Sequence, residues 1–224
     1  EVHAYDAYMD VYLARALEWM GAFGIPVVLL SATLPAGIRR DLICAYQKGR
    51  GYGIRKADMD SNALIFDSDH YPLLTYTDGD KICQQDDFPK AKDCCVAVHS
   101  LDEEKLEETL QILLKDGGVV GIIVNTVRRA QEIYQDLAER FHGEVSLLHA
   151  HFIDTDRIKK ERVLMDQIGK GAKRPYRAIV IGTQVLEQSL DIDFDVLFTD
   201  LCPMDLLLQR VGRLHRHKIH RPKA

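Results

Sequence analysis

From residue 119 onward, short apolar runs alternate with amphipathic stretches, and this alternation constrains the fold more than any other feature. Residues 119–124, 145–148, 178–181 and 196–199 read as strands. Residues 126–141 and 156–168 read as the helices between them. Parallel strands cannot be joined by a tight turn, so strand–helix–strand order means a parallel α/β sheet. The pattern extends backwards to a strand at 94–98 and a helix at 101–115, where Ser100 and Glu103 have capping-box spacing. Asp205, after Pro203, is placed to cap a last helix containing Q-R-V-G-R-L-H-R. In open sheets of this kind, ligands sit at the carboxyl ends of the strands.

The first part of the chain reads differently. Tyr8, Val11, Tyr12, Ala16, Trp19 and Met20 recur at helical spacing, which predicts a helix over 7–22 ended by the glycines that follow. P-V-V-L-L, residues 26–30, is a continuous apolar run of the kind buried on both faces of a parallel sheet. A second helix is expected at 36–47. Residues 49–92 then lose periodicity, and the apolar pieces 63–66 and 73–76 suggest either hairpin strands or a mobile insertion. This divides the chain into 1–49, an insertion and linker at 50–92, and 93–224, with the boundary near 88–92. The sequence shows no internal repeat and no low-complexity segment.

The composition, 46% hydrophobic and 28% charged, is that of a soluble globular protein. No apolar run approaches the roughly 18 residues of a membrane span. The opening E-V-H-A-Y-D is not a secretory signal. It lacks an initiator Met, so a longer parent is expected. The five cysteines, Cys44, Cys83, Cys94, Cys95 and Cys202, form no C-x-x-C pair, which argues against a zinc or disulfide framework and for a reducing cytoplasm. The net charge is −5, yet from Gln209 onward there are only positive charges, on Arg210, Arg213, Arg216, Lys218, Arg221 and Lys223. The preceding body is therefore strongly acidic. A general basic nucleic-acid face is excluded, and any such contact must be local.

Five stretches fall at strand ends or caps. They are E-V-H at 1–3, S-A-T-L-P at 31–35, V-V-G-I-I-V-N-T at 119–126, I-G-T-Q-V-L-E-Q-S-L-D-I-D at 181–193, and Q-R-V-G-R-L-H-R at 209–216. Each alone has an ordinary reading: a terminal acid, helix caps, a basic tail. His149 and His151, flanking Ala150, likewise read as ordinary histidines rather than a metal site. In their order and spacing, however, E-V-H, S-A-T, T-Q-V-L-E-Q-S-L-D and Q-R-V-G-R-L-H-R resemble the later motifs of superfamily two helicases. E-V-H-A-Y-D, L-L-H-A-H-F with Asp156-Arg157, and V-L-E-Q-S-L-D-I-D-F-D-V-L-F-T-D-L-C-P further resemble the CRISPR-associated helicase-nuclease of type I systems. The likeness covers most of the chain and is weakest over 50–92.

The resemblance implies a RecA-like fold: one complete second RecA-like domain, plus the C-terminal part of the first. It implies ATP and Mg2+ as cofactors, completed by residues outside this sequence, with single-stranded DNA and a CRISPR surveillance complex as partners and no membrane. By position in the motifs, Glu1 would orient the attacking water. Arg213 and Arg216 would stabilise charge on the γ-phosphate. Asp191 would contact the ribose or nucleotide and Gln209 a phosphate. His3, Ser31 and Thr33 would couple hydrolysis to movement. Thr126 and Thr183 are candidates for the DNA backbone, with helix or loop capping as their alternative. The three arginines, spaced by three, are expected near one side of a helix, with Arg210 free to pair with an acidic neighbour instead. No G-x-x-x-x-G-K-[ST] phosphate loop occurs, so the chain by itself is expected neither to hydrolyse ATP nor to unwind DNA. An RNA-directed helicase of the same superfamily and a non-enzymatic docking module are the rival readings.

Overall fold

The computed structural model describes residues 7–31, 34–52, 68, 70–89, 95–187 and 190–221. The chain divides into two compact units, one ending at Ala97 and the other beginning at Val98.

In the first unit, helix α1 (Ala7–Ala22) packs on helix α2 (Ala36–Gly49). Leu17 and Leu42 form the buried contact, flanked by Leu13, Ile38, Ala45 and Tyr46. Gly49 allows the close crossing, since a Cβ there would meet the Glu18 carbonyl oxygen at 1.9 Å. Residues 26–30 are extended but form no strand, contrary to expectation. Val27 and Leu29 join the core while Val28 and Leu30 are 82% and 68% exposed. The run is therefore buried on one face only, and among the described residues it has no neighbouring strand to hydrogen-bond with. Strands β1 (Leu74–Asp78) and β2 (Lys81–Gln85) form an antiparallel hairpin. The buried Gln47 fixes its turn by donating from Nε2 to the Gly79 carbonyl at 2.9 Å.

The second unit is a four-stranded parallel sheet in the order β4-β5-β3-β6. The strands are β3 (Gly118–Ile123), β4 (Val145–Leu148), β5 (Arg177–Gly182) and β6 (Val196–Thr199). Its helices are α3 (Leu106–Leu113), α4 (Val127–Ala138), α5 (Asp154–Ile168) and α6 (Met204–Val211). The period-two side-chain alternation of a strand explains why β3 and β5 read as unbroken apolar runs. Val120, Ile122, Ile179 and Ile181 pack with α3 and α4 on one face. Val119, Ile123, Ala178 and Val180 pack with α5, Leu186, Ile192 and Phe194 on the other.

Three local expectations are corrected. Residues 95–98 are not a strand: Val96 and Val98 are 42% and 76% exposed, with no partner strand among the described residues. The Ser100–Glu103 capping box does not form. The helix opens later, through a 3₁₀ turn at Glu103–Lys105 whose N-cap, Asp102, makes no side-chain cap bond. Asp205 does not cap α6. Pro203 occupies the N-cap, and the Asp205 carboxylate accepts instead from the next residue's N–H, on Leu206, at 3.0 Å.

Candidate functional site

Helix α6 ends at Val211, with Gly212 as its C-cap. Of the three arginines expected on one helix face, only Arg210 is helical. Arg213 lies in the turn beyond, and Arg216 follows His215, whose φ of 52° bends the chain away from the helix. The spacing of three therefore separates the arginines instead of aligning them.

Arg210 is fully buried and faces the carboxyl ends of β3 and β6. Its Nε donates to Glu187 Oε1 at 2.7 Å. Its terminal nitrogens donate to Thr199 Oγ1 at 2.6 Å and to Asn125 Oδ1 at 2.9 Å. Asn125 in turn is held by Asp200, whose Oδ2 accepts from the Asn125 N–H at 2.9 Å. Arg210 thus pairs with an acidic neighbour inside the core. Glu187 has a second duty, because its carbonyl accepts from the Arg213 guanidinium.

After Thr183, the chain doubles back along the sheet before entering β6. D-I-D-F-D, residues 191–195, therefore lies toward the end of the sheet where β3 and β6 begin. Asp195 marks that end by exchanging bonds with Val119: its N–H donates to the Val119 carbonyl, and its Oδ2 accepts from the Val119 N–H, both at 2.8 Å. The basic segment beyond α6 follows the same edge, with Leu214 bridged in parallel to Phe194. Period-two alternation turns the three aspartates one way and the two apolar residues the other. Ile192 and Phe194 are fully buried in the core, while the carboxylates face cations: Asp191 has its own, and Asp193 and Asp195 share two arginines. Asp191 Oδ1 accepts from Arg216 Nε at 2.7 Å and lies 3.0 Å from His217 Nε2. Asp193 accepts from Arg174 at 3.0 Å, from Arg221 at 2.6 Å and from the Arg216 N–H at 2.8 Å. Asp195 accepts from Arg174 at 2.8 Å and from Arg221. His217 and Arg216 hold the Asp191 carboxyl below the usual carboxylate range, against a smaller opposing effect of burial.

The predicted site residues thus fall in two places. Thr126 and Thr183 follow the carboxyl ends of β3 and β5. Thr126 caps α4, its Oγ1 accepting from the Arg129 N–H at 3.3 Å, and Thr183 is buried. Asp191 and Arg216 meet beside the segment that leads into β6, while the Arg213 guanidinium donates to the Glu187 carbonyl in the turn after Thr183. Gln209 is half-buried on α6, and Ser31 follows the extended run of the first unit. Glu1, His3 and Thr33 lie outside the described residues. Sequence reasoning missed Glu187, Asp193, Asp195, Arg174 and Arg221. The missed signal was the D-x-D-x-D alternation, which presents three acids on one edge to a segment carrying only positive charge.

His149, next after β4, is 3% exposed and stacks on Phe152 with ring centroids 4.1 Å apart and planes within 5°. Burial, then neighbouring His151, pushes its pKa down from the usual histidine value. Among the described residues, no three His, Cys, Asp or Glu side chains gather as a metal site. No described helix is long and apolar enough to cross a membrane.

Residues 116–219 match the family model for the C-terminal part of the CRISPR-associated nuclease/helicase Cas3. The whole chain is 54% identical over 224 residues to the CRISPR-associated nuclease/helicase Cas3 of Streptococcus thermophilus, of which it spans 24%. The T. fusca Cas3-ATP crystal structure superposes with a TM-score of 0.81 at 33% identity, over 100% of this chain and 28% of that one. A chain of a CRISPR RNA-guided surveillance complex in a pre-nicking state superposes at 0.79, also at 33% identity, over 100% of this chain and 29% of that one. The chain spans about a quarter of the length of the curated relative it matches. It belongs to the Cas3 nuclease/helicase family and carries that family's C-terminal RecA-like helicase domain.

Proposed function

We propose that this chain supplies the second RecA-like half of an ATP-driven translocase that moves on single-stranded DNA in type I CRISPR interference, recruited by a surveillance complex in the cytoplasm. The observation that carries the reading is the meeting of Asp191 and Arg216, distant in sequence, at 2.7 Å, with both side chains about two-fifths exposed. A carboxylate suited to ribose hydroxyls and a guanidinium suited to phosphate oxygens then stand at one place. Arg213 donates instead to the Glu187 carbonyl, in the turn after β5.

When bound, ATP with Mg2+ supplies the γ-phosphoryl group and part of the charge neutralisation. Arg213 and Arg216 would stabilise charge that builds on the phosphate oxygens, Gln209 would contact a phosphate, and Asp191 would orient the nucleotide. Glu1 would hold the attacking water, and His3, Ser31 and Thr33 would couple hydrolysis to movement. The phosphate cradle and the magnesium ligands must come from outside this sequence, which has no phosphate-loop motif. Thr126 and Thr183 would contact the DNA backbone. Grip through backbone phosphates is sequence-tolerant and weakens with salt.

The test is ATP hydrolysis with single-stranded DNA and RNA, on a full-length protein carrying this segment and on the 224-residue chain. We expect stimulation by DNA in the full-length protein and no hydrolysis by the chain alone. Equal or better stimulation by RNA would establish the RNA-directed alternative. DNA-stimulated hydrolysis by the isolated chain would overturn its dependence on an outside phosphate cradle. Surveillance-complex binding without any hydrolysis by the full-length protein would favour a docking module.

A further inference from the structure

We infer that Asp193, clamped between Arg174 and Arg221, is a positioning residue for Arg216. The inference rests on the nucleotide-facing role proposed for Arg216, and it brings in residues outside the Q-R-x-G-R-x-x-R stretch. Asp193 is fully buried, and both of its carboxylate oxygens are engaged. Oδ2 accepts from Arg174 at 3.0 Å and from Arg221 at 2.6 Å. Oδ1 accepts from the backbone N–H of Arg216 at 2.8 Å. The two arginines approach from different places, Arg174 from the loop before β5 and Arg221 from the end of the basic segment. Each also reaches Asp195, so the four side chains form a closed square. Arg221 further donates to the His217 carbonyl at 2.9 Å, which secures the backbone just after Arg216.

The side chain of Arg216 is held by a half-exposed pair with Asp191 and a long bond to the Gly212 carbonyl at 3.4 Å. Exposed pairs of this kind hold geometry weakly. The backbone of Arg216 is instead fixed by a buried, charge-assisted hydrogen bond, which is stronger and better directed. A finger must meet phosphate oxygens within a fraction of an ångström. The part of Arg216 that the fold determines is therefore its backbone, and Asp193 determines it. Removing one arginine leaves the buried carboxylate pair short of positive charge and frees it to shift.

The experiment is a double-mutant cycle on a full-length protein carrying this segment, with kcat and KM for ATP measured under saturating single-stranded DNA. Arg221→Gln is expected to lower kcat by about 10- to 100-fold with KM little changed. Added to Arg216→Ala, it is expected to lower kcat no further, because it acts through Arg216. Arg221→Lys, which keeps one charge in the square, is expected to recover most of the loss. Should Arg221→Gln prove insoluble, Arg174→Gln carries the same prediction. Equal losses in both backgrounds, or a lower melting temperature with unchanged kcat, would overturn the inference. An unchanged kcat for Arg216→Ala would instead remove the finger role on which it rests, and the inference with it.

Discussion

Arg210 and Glu187 meet at 2.7 Å with both side chains fully buried, joining the last helix to the loop after β5. The pair does not stand alone. Thr199 and the carbonyls of Ile123 and Asp200 surround one terminal nitrogen, and Asn125 takes a hydrogen of the other. Two charges withdrawn from water are held in place because nearly every donor has an acceptor, and this is the condition under which such a pair can be tolerated.

Breaking that pair from one side should therefore be costly. Glu187→Ala or Arg210→Ala is expected to destabilise the fold by about 3–5 kcal/mol, because each leaves an uncompensated buried charge. The joint replacement Glu187→Leu with Arg210→Met should cost much less than the two single losses together. Thermal unfolding followed by circular dichroism checks this. Additive losses in the double variant would show that the two side chains do not act as a pair.

Acid should weaken the second unit through His149. Its folded pKa lies below the ordinary value of 6.5, chiefly because burial disfavours the imidazolium. The unfolded chain then takes up a proton that the folded chain resists. This stability is fully present above about pH 6.5 and is lost as pH falls from there toward the folded pKa. The melting temperature is expected to fall as pH drops below about 6.5, and His149→Phe, which keeps a ring beside Phe152, should flatten that slope. Identical slopes would mean that another group carries the acid sensitivity.

Gly121 should resist enlargement. A Cβ there would meet the Phe194 ring at 2.8 Å, inside the core on the sheet face that packs against α5. Gly121→Ala is expected to cost about 1–3 kcal/mol by overpacking. Adding Phe194→Leu should return part of that loss. Denaturant midpoints measure both, and a neutral Gly121→Ala would show that the ring moves aside freely.

The central strands β3 and β5 were legible because they are buried on both faces, so each reads as an apolar run between helices. Where burial is one-sided, as at 26–30, or absent, as at 95–98, the same apolar signal does not make a strand. A strand also needs a partner, and apolar content says nothing of partners. The arginine motif was legible as a motif but not as geometry. Gly212 ends the helix between Arg210 and Arg213, so equal spacing placed one arginine in the core and two along the edge. The acid–base square was written in the sequence as alternating aspartates, but its basic partners Arg174 and Arg221 are brought in only by the tertiary fold.

The central claim is that Arg213 and Arg216 face the nucleotide during hydrolysis. Its most direct test is the DNA-stimulated kcat for ATP of a full-length protein carrying this segment, with Arg213→Ala and Arg216→Ala made separately and folding checked. An arginine that stabilises transition-state charge is worth about 10³–10⁵ in rate, so each variant should lose about 10³-fold or more in kcat with KM for ATP little changed. Values within about 3-fold of the unsubstituted protein would contradict the account, since a loss that small is under 1 kcal/mol of transition-state stabilisation.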